Sequence, residues 1–211
     1  RAARFRGASE LIVVSSKSGS SGNSPSTQGC QYRILRATPK LMVTRFPSYS
    51  FVPGYWPHPM RDPDGHSYQQ PHKPTLPLHP ETWAECPSYV RGIELFNHGY
   101  YWEAHESWEG VWIALGREGD TALFLKALIK YAAVGVKIRQ QASGAAHSLL
   151  SQVQGHIETL QRSIPSQDYA GLSLTGLKHD LKQLSEIIED LTSNPELSVE
   201  VILPKGLVLQ E

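Results

Sequence analysis

Apolar residues recur at three- and four-residue steps from Pro87 to Leu191, a period that predicts helices separated by Gly, Ser and Pro breaks. The first expected helix opens near Pro87, carries Val90, Ile93, Leu95 and Phe96, and stops at Gly99. A second follows at once, from Tyr101 to Leu115. At roughly 100° per residue, Tyr101, Ala104, His105, Trp108, Val111, Trp112 and Leu115 share one face, so His105 is expected to point into the apolar stripe. Glu109 lies about 40° further round, beside Trp102 and Ile113, with Glu106 at the boundary. Glu103, Ser107, Gly110 and Ala114 fill the remaining arc. Either that arc faces water or its small residues admit another helix, and Glu103 is expected to be solvated.

GREGD, Gly116 to Asp120, interrupts the period. A third helix is expected from a cap at Asp120 or Thr121 to about Gln141, with Phe124, Ala127, Leu128, Tyr131, Ala132, Gly135 and Ile138 on one face. Leu125, Ile129 and Val136 widen that face, which marks a central bundle helix, while Lys126, Lys130 and Lys137 gather opposite. A fourth helix begins after Ser143 or Gly144 and ends before Pro165; DYAGLSLT then caps a fifth, which Asn194-Pro195 terminates. His147, His156 and His179 read as surface residues. The fold class is therefore all-α, a compact bundle of about five helices occupying residues 83–193.

Outside the bundle the pattern changes. Residues 1–41 are rich in Ser, Gly and Arg, begin with Arg1 rather than Met, and read as a disordered tail or a mispredicted upstream extension; a transit peptide is the runner-up. Proline recurs every few residues from Phe46 to Pro80, which excludes regular helix or central strand, so 42–82 is expected to be an extended arm. Its Tyr49, Phe51, Tyr55, Trp56 and Tyr68 are too many aromatics for a free linker. The arm is expected to dock on the bundle, with Trp56 and its neighbours covering part of it near the second helix. RDPDG at Arg61 to Gly65 reads as a turn. Residues 194–211 form an extended tail whose VEVIL stretch suits a short strand or strap.

With 211 residues and 40% hydrophobic content, the chain supports one ordinary core. Twenty Lys plus Arg against twenty Asp plus Glu give no overall field to attract nucleic acid or an anionic membrane, so neither is an expected partner. The lysine row of the third helix would need steep salt dependence to count as a nucleic-acid surface. Cys30 and Cys86 match no zinc spacing or disulfide framework, and the longest apolar run near the start, LIVV at Leu11 to Val14, is too short for a membrane span. A cytoplasmic protein is expected. No phosphate-binding loop, nucleophile elbow, CxxC or repeat occurs.

The chemistry is concentrated in FNHGYYWEAHESWEGVW, Phe96 to Trp112. His105 and Glu109 stand at i and i+4, a spacing that suits two ligands of one divalent metal ion or a base and its orienting partner. In the enzymatic reading they hold the ion, and Glu106 adds a ligand or acts as general base on water. One helix supplies too few ligands, so a third must come from another helix or from His58, Asp62, Asp64 or His66 of the arm, which otherwise read as turn-forming aspartates and exposed histidines. No HExxH is present, since Glu109 stands where that motif has its second His. The alternative is a non-enzymatic scaffold or a binder of a small molecule or protein, in which His105 and the glutamates form a structural buried network.

The same stretch, with Phe96, Asn97, Gly99, Ala104, His105, Glu106, Glu109 and Trp112 in place and FLKALIKYAAVGVK after it, resembles the signature of domain-of-unknown-function family 309. These are helical proteins, some labelled as predicted metal-dependent hydrolases. The resemblance covers roughly Val52 to Leu191. It departs at Lys126 and Lys130, where the family often has glutamine. It implies a helical fold, and for some members a hydrolytic activity that uses a metal ion.

Overall fold

The computed structural model describes residues 46–71, 74–193, 203 and 206–210. The expectations for 1–41, and for VEVIL except Leu203, fall outside the described residues. The elements are a 3-10 helix, Pro80–Glu85, and five α-helices: α1 Pro87–Asn97, α2 Tyr101–Ala114, α3 Gly119–Arg139, α4 Ser143–Ser163 and α5 Leu174–Ser193. A two-stranded hairpin, β1 Asp168–Tyr169 and β2 Leu172–Ser173, precedes α5.

Breaks in the apolar period become chain reversals. Pro87 starts α1, where a missing N–H costs nothing. At its end Gly99 takes φ +79, so that Tyr100 N–H donates to Leu95 O at 2.8 Å and Gly99 N–H to Phe96 O at 3.0 Å. This glycine-terminated stop consumes the last carbonyls of α1 and lets α2 begin at Tyr101, packed on α1. The third helix begins at Gly119, earlier than expected, and Glu118 occupies the cap position without a side-chain bond. Asp120 sits in the first turn instead, where the positive helix end favours a carboxylate. DYAGLSLT forms more than a cap. Ala170 (φ +47) and Gly171 (φ +76) make the left-handed two-residue turn that a tight hairpin needs.

Consecutive helices pack on one another, and α3 also reaches α5. The broad apolar surface of α3 explains its central place: Phe124, Leu125, Ala127, Leu128, Tyr131, Ala132, Gly135, Val136 and Ile138 are all buried. Around it the rings of Phe96, Tyr101, Trp108 and Tyr131 interlock, Phe96 lying 4.9 Å from Tyr131 and 5.3 Å from Tyr101. Two glycines let the backbones approach. A Cβ at Gly92 of α1 would overlap the Trp108 indole, and one at Gly135 of α3 would lie 2.5 Å from the Tyr101 ring. Trp108 Nε1–H, carried into the core, donates to Tyr89 O at 3.1 Å.

The last described residues strap the bundle. Asn97 donates from Nδ2 to Leu207 O at 2.8 Å and accepts from Leu207 N–H at 2.7 Å, completing a closed amide pair. Leu203 N–H donates to Tyr101 Oη at 2.6 Å, and Leu203 and Leu207 are buried. Among the described residues, no helix is long and apolar enough to cross a membrane.

Candidate metal centre

Helix α2 carries the candidate site. Its core face is Tyr101, Ala104, Trp108 and Val111, all buried. His105 was expected inside that stripe and stands instead on its flank, with 25% of its side chain exposed. The reason is geometric. Trp108 already fills the contact with α1, against Gly92, Tyr89 and Phe96, and the next position round the helix meets the edge of the core rather than its centre. Glu106 and Glu109 are half-buried on the same side. One potential ligand atom from each of His105, Glu106 and Glu109 lies within 4.8 Å of the others. His105 Nδ1 approaches Glu106 Oε1 at 3.4 Å yet makes no hydrogen bond.

Donors around one tetrahedral ion with bonds of about 2.1 Å stand roughly 3.4 Å apart, so small rotations of long carboxylate side chains would close this cluster on a cation. Imidazole plus two carboxylates is a mixed nitrogen and oxygen set, suited to zinc, manganese or ferrous iron. The unsatisfied Nδ1 fits the same description. The site meets its neighbours through Trp102, whose indole stacks on the His105 ring at 5.7 Å and 22°.

Glu103 departs most from expectation. It was assigned to the wet arc, yet its side chain is only 7% exposed because the arm, not water, covers that side of α2. Oε1 of Glu103 accepts from Phe51 N–H at 2.9 Å and lies 3.0 Å from His66 Nε2. His66 is held in turn by Ser67 Oγ at 2.9 Å from its Nδ1. Further along the same edge of α2, Gly110 leaves room for the Thr75 side chain, and Ser107 donates to Ser88 O of α1. The small residues of that arc therefore admit the arm as well as α1. Arg139 lies beneath: it donates to Ser50 Oγ at 2.6 Å and sits 4.8 Å above the Tyr101 ring. Burial pushes its guanidinium below the usual value, and Tyr101, Glu103 and Tyr100 oppose that shift.

Of the arm's four candidate ligands, none joins the cluster. His66 goes to Glu103. Asp62 accepts from Asp64 N–H at 3.0 Å and so organises the RDPDG turn. His58 Nδ1 accepts from Met60 N–H, and its ring meets Trp102 edge-on at 6.0 Å. The arm's buried anchors are Phe51, Val52, Pro59 and Leu78. Trp56, expected to cover the bundle, is 51% exposed and stacks on Tyr49 at 5.3 Å, while Tyr55 is 64% exposed. A cleft of about 240 Å³ between the arm and the 3-10 helix, lined by Leu76, Pro77, His79, Thr82, Glu85 and Cys86, shares no residue with the cluster. Its thiol is turned onto Leu76 O. On α3, Lys130 donates to Gln152 and Lys137 to Gln140. His156, expected at the surface, is half-buried with its Nε2 enclosed and unpartnered.

The fold and site together define a class: an all-helical bundle with a half-exposed His, Glu and Glu cluster on its second helix, bordered by a proline-rich segment. Residues 89–149 match the model of the family described as Domain of unknown function (DUF309), the family that the signature stretch resembles. The matched segment is shorter than the resemblance and runs from Tyr89 in α1 to Leu149 in α4, so it contains all of α2 and α3. No curated protein and no solved structure matches the chain.

Proposed function

We propose that the protein is a metal-dependent hydrolase whose ion is held by His105 and Glu109, with Glu106 as the general base. The observation that carries this reading is the convergence of three ligand-capable side chains within 4.8 Å on a half-exposed helix flank, one of them offering an unpartnered imidazole nitrogen. A divalent ion at such a site supplies Lewis-acid activation of water and of the bond to be cleaved. His105 and Glu109, one turn apart, present a nitrogen and an oxygen from a rigid scaffold. Glu106 lies beside them and takes the proton that water loses. Partial exposure serves the reaction, since substrate must reach the cluster. Among the described residues the His and Glu pair enclosed by the fold is His66 with Glu103, whereas His105 and Glu106 stay open to solvent at 25% and 37% of their side chains.

The test is metal analysis of untagged protein reconstituted with zinc, manganese or iron, together with hydrolysis of chromogenic phosphate, carboxylic ester and amide substrates. Near-stoichiometric metal in wild type, its loss in His105→Ala and Glu109→Ala, and bound metal without turnover in Glu106→Gln are expected. No retained ion in wild type overturns the proposal. Metal without any turnover reduces it to a cation-binding scaffold.

A further inference from the structure

The His105 ring has no hydrogen bond at Nδ1 to set its orientation. Ligating imidazoles commonly have one, donated to a carboxylate or carbonyl. What faces this ring instead is the Trp102 indole, near-parallel at 22°. The indole is itself wedged. The Phe51 ring meets it edge-on at 4.9 Å and 81°, and His58 meets it edge-on at 6.0 Å and 80°. Both come from the arm. Phe51 is 4% exposed, so its ring has little freedom to shift. Its backbone N–H donates to Glu103, which also meets His66 at 3.0 Å, so the residue beside Trp102 pins the segment that wedges Trp102. Thr75, lying against Gly110 next to Glu109, places the arm at the other end of the cluster as well.

We propose that Trp102 is a positioning residue for His105, and that the arm sets it through Phe51, His58 and the Glu103 bonds. This deepens the metal-centre reading and, as far as cation affinity goes, rests on it. The mechanism is steric. A planar stack leaves the imidazole free to slide but not to tip, so its nitrogens stay directed at Glu106 and Glu109. With the arm displaced, the indole regains its side-chain freedom and the imidazole loses the stacked face that limits its tilt. The sequence-distant arm is thereby coupled to the ligand set without contributing a ligand.

The test uses the full chain and two readouts. The first is the NMR shifts of the His105 ring protons, which a stacked indole moves upfield whether or not metal is present. The second is Zn²⁺ affinity by calorimetry. Trp102→Leu is expected to return the His105 shifts toward those of an unstacked imidazole and to weaken Zn²⁺ binding about tenfold or more, the range typical of groups that orient a ligand. Trp102→Phe keeps a stacking ring and should restore both. Glu103→Ala, which removes the side chain that bonds Phe51 and His66 and takes away no ligand, should reproduce the shift change, and Glu103→Leu serves should the alanine variant fold poorly. Unaltered His105 shifts in Trp102→Leu overturn the positioning role, and so do altered shifts with wild-type Zn²⁺ affinity. Unaltered shifts in both Glu103 variants overturn the arm's part in it. Should wild type bind no Zn²⁺, the cation reading is what fails, and the ring shifts alone decide the positioning.

Discussion

Glu103 and Trp108 occupy one helix five residues apart, and both are buried for different reasons. Trp108 is fully buried and fills the contact with α1, so Trp108→Ala is predicted to cost about 3 to 5 kcal/mol. Glu103→Ala strands the Phe51 N–H and the His66 ring, and is predicted to cost about 1 to 3 kcal/mol, far more than a solvated carboxylate would. Denaturant melts of the two variants check both values, and a wild-type midpoint for Glu103→Ala would show the arm to be loosely held. His156 gives a pH signature of its own. Burial, then Lys126 and Lys130, hold its imidazole below the usual value. Its folded state therefore resists protonation more than the unfolded chain does. Stability associated with it is present above about pH 6.5 and declines as pH falls through the folded value. His156→Gln is predicted to flatten the loss of melting temperature between about pH 7 and 5.

At the scale of elements, the arm and the helix pairs hold by different means. The arm contributes few buried side chains but several directed bonds, including Gln140 Nε2–H to Pro53 O and Ser50 Oγ–H to Gly99 O. Burial of Phe51 is worth about 1.5 to 3 kcal/mol. A chain starting at Pro80 is therefore predicted to melt well below the full protein while keeping its helical circular dichroism. Equal stability of the two would mean that the arm is only laid on the surface. The helix pairs depend on close approach. Gly92→Ala must displace the Trp108 indole and is predicted to cost about 1 to 3 kcal/mol, whereas Gly155→Ala, on the open face of α4, should be neutral or slightly stabilising. Parallel thermal melts distinguish them.

Across the whole molecule, the core holds three tyrosines that burial pushes up: Tyr89 and Tyr131 well above the ordinary phenol value, and Tyr101 to about 12. A raised folded value means that the unfolded chain ionises first, so stability is intact below about pH 10 and is lost as pH rises toward the folded value. Alkaline unfolding is predicted to begin near pH 10, with tyrosinate absorbance appearing together with loss of helix; ionisation without unfolding would place these hydroxyls in water. The helices, their order and the buried face of α3 were legible in the sequence because a period near 3.6 reports burial locally. Gly99, Pro87 and Pro165 marked the breaks for equally local reasons. The site was legible only in part. His105, Glu106 and Glu109 could be gathered by helical spacing alone, but the degree of exposure of His105 depended on how far the core extends round α2. Glu103 reads as solvated from spacing alone because its cover comes from residues 51 and 66, held by single hydrogen bonds that leave no period in the chain. By itself the sequence determined an all-helical bundle and the residues that share its second helix, since backbone periodicity and short connections suffice for both. Only the tertiary structure decided which face of that helix the arm closes and what wedges Trp102 beside His105, because the arm's bonds to Glu103 join residues 37 and 52 apart, through side chains whose partners no local pattern specifies.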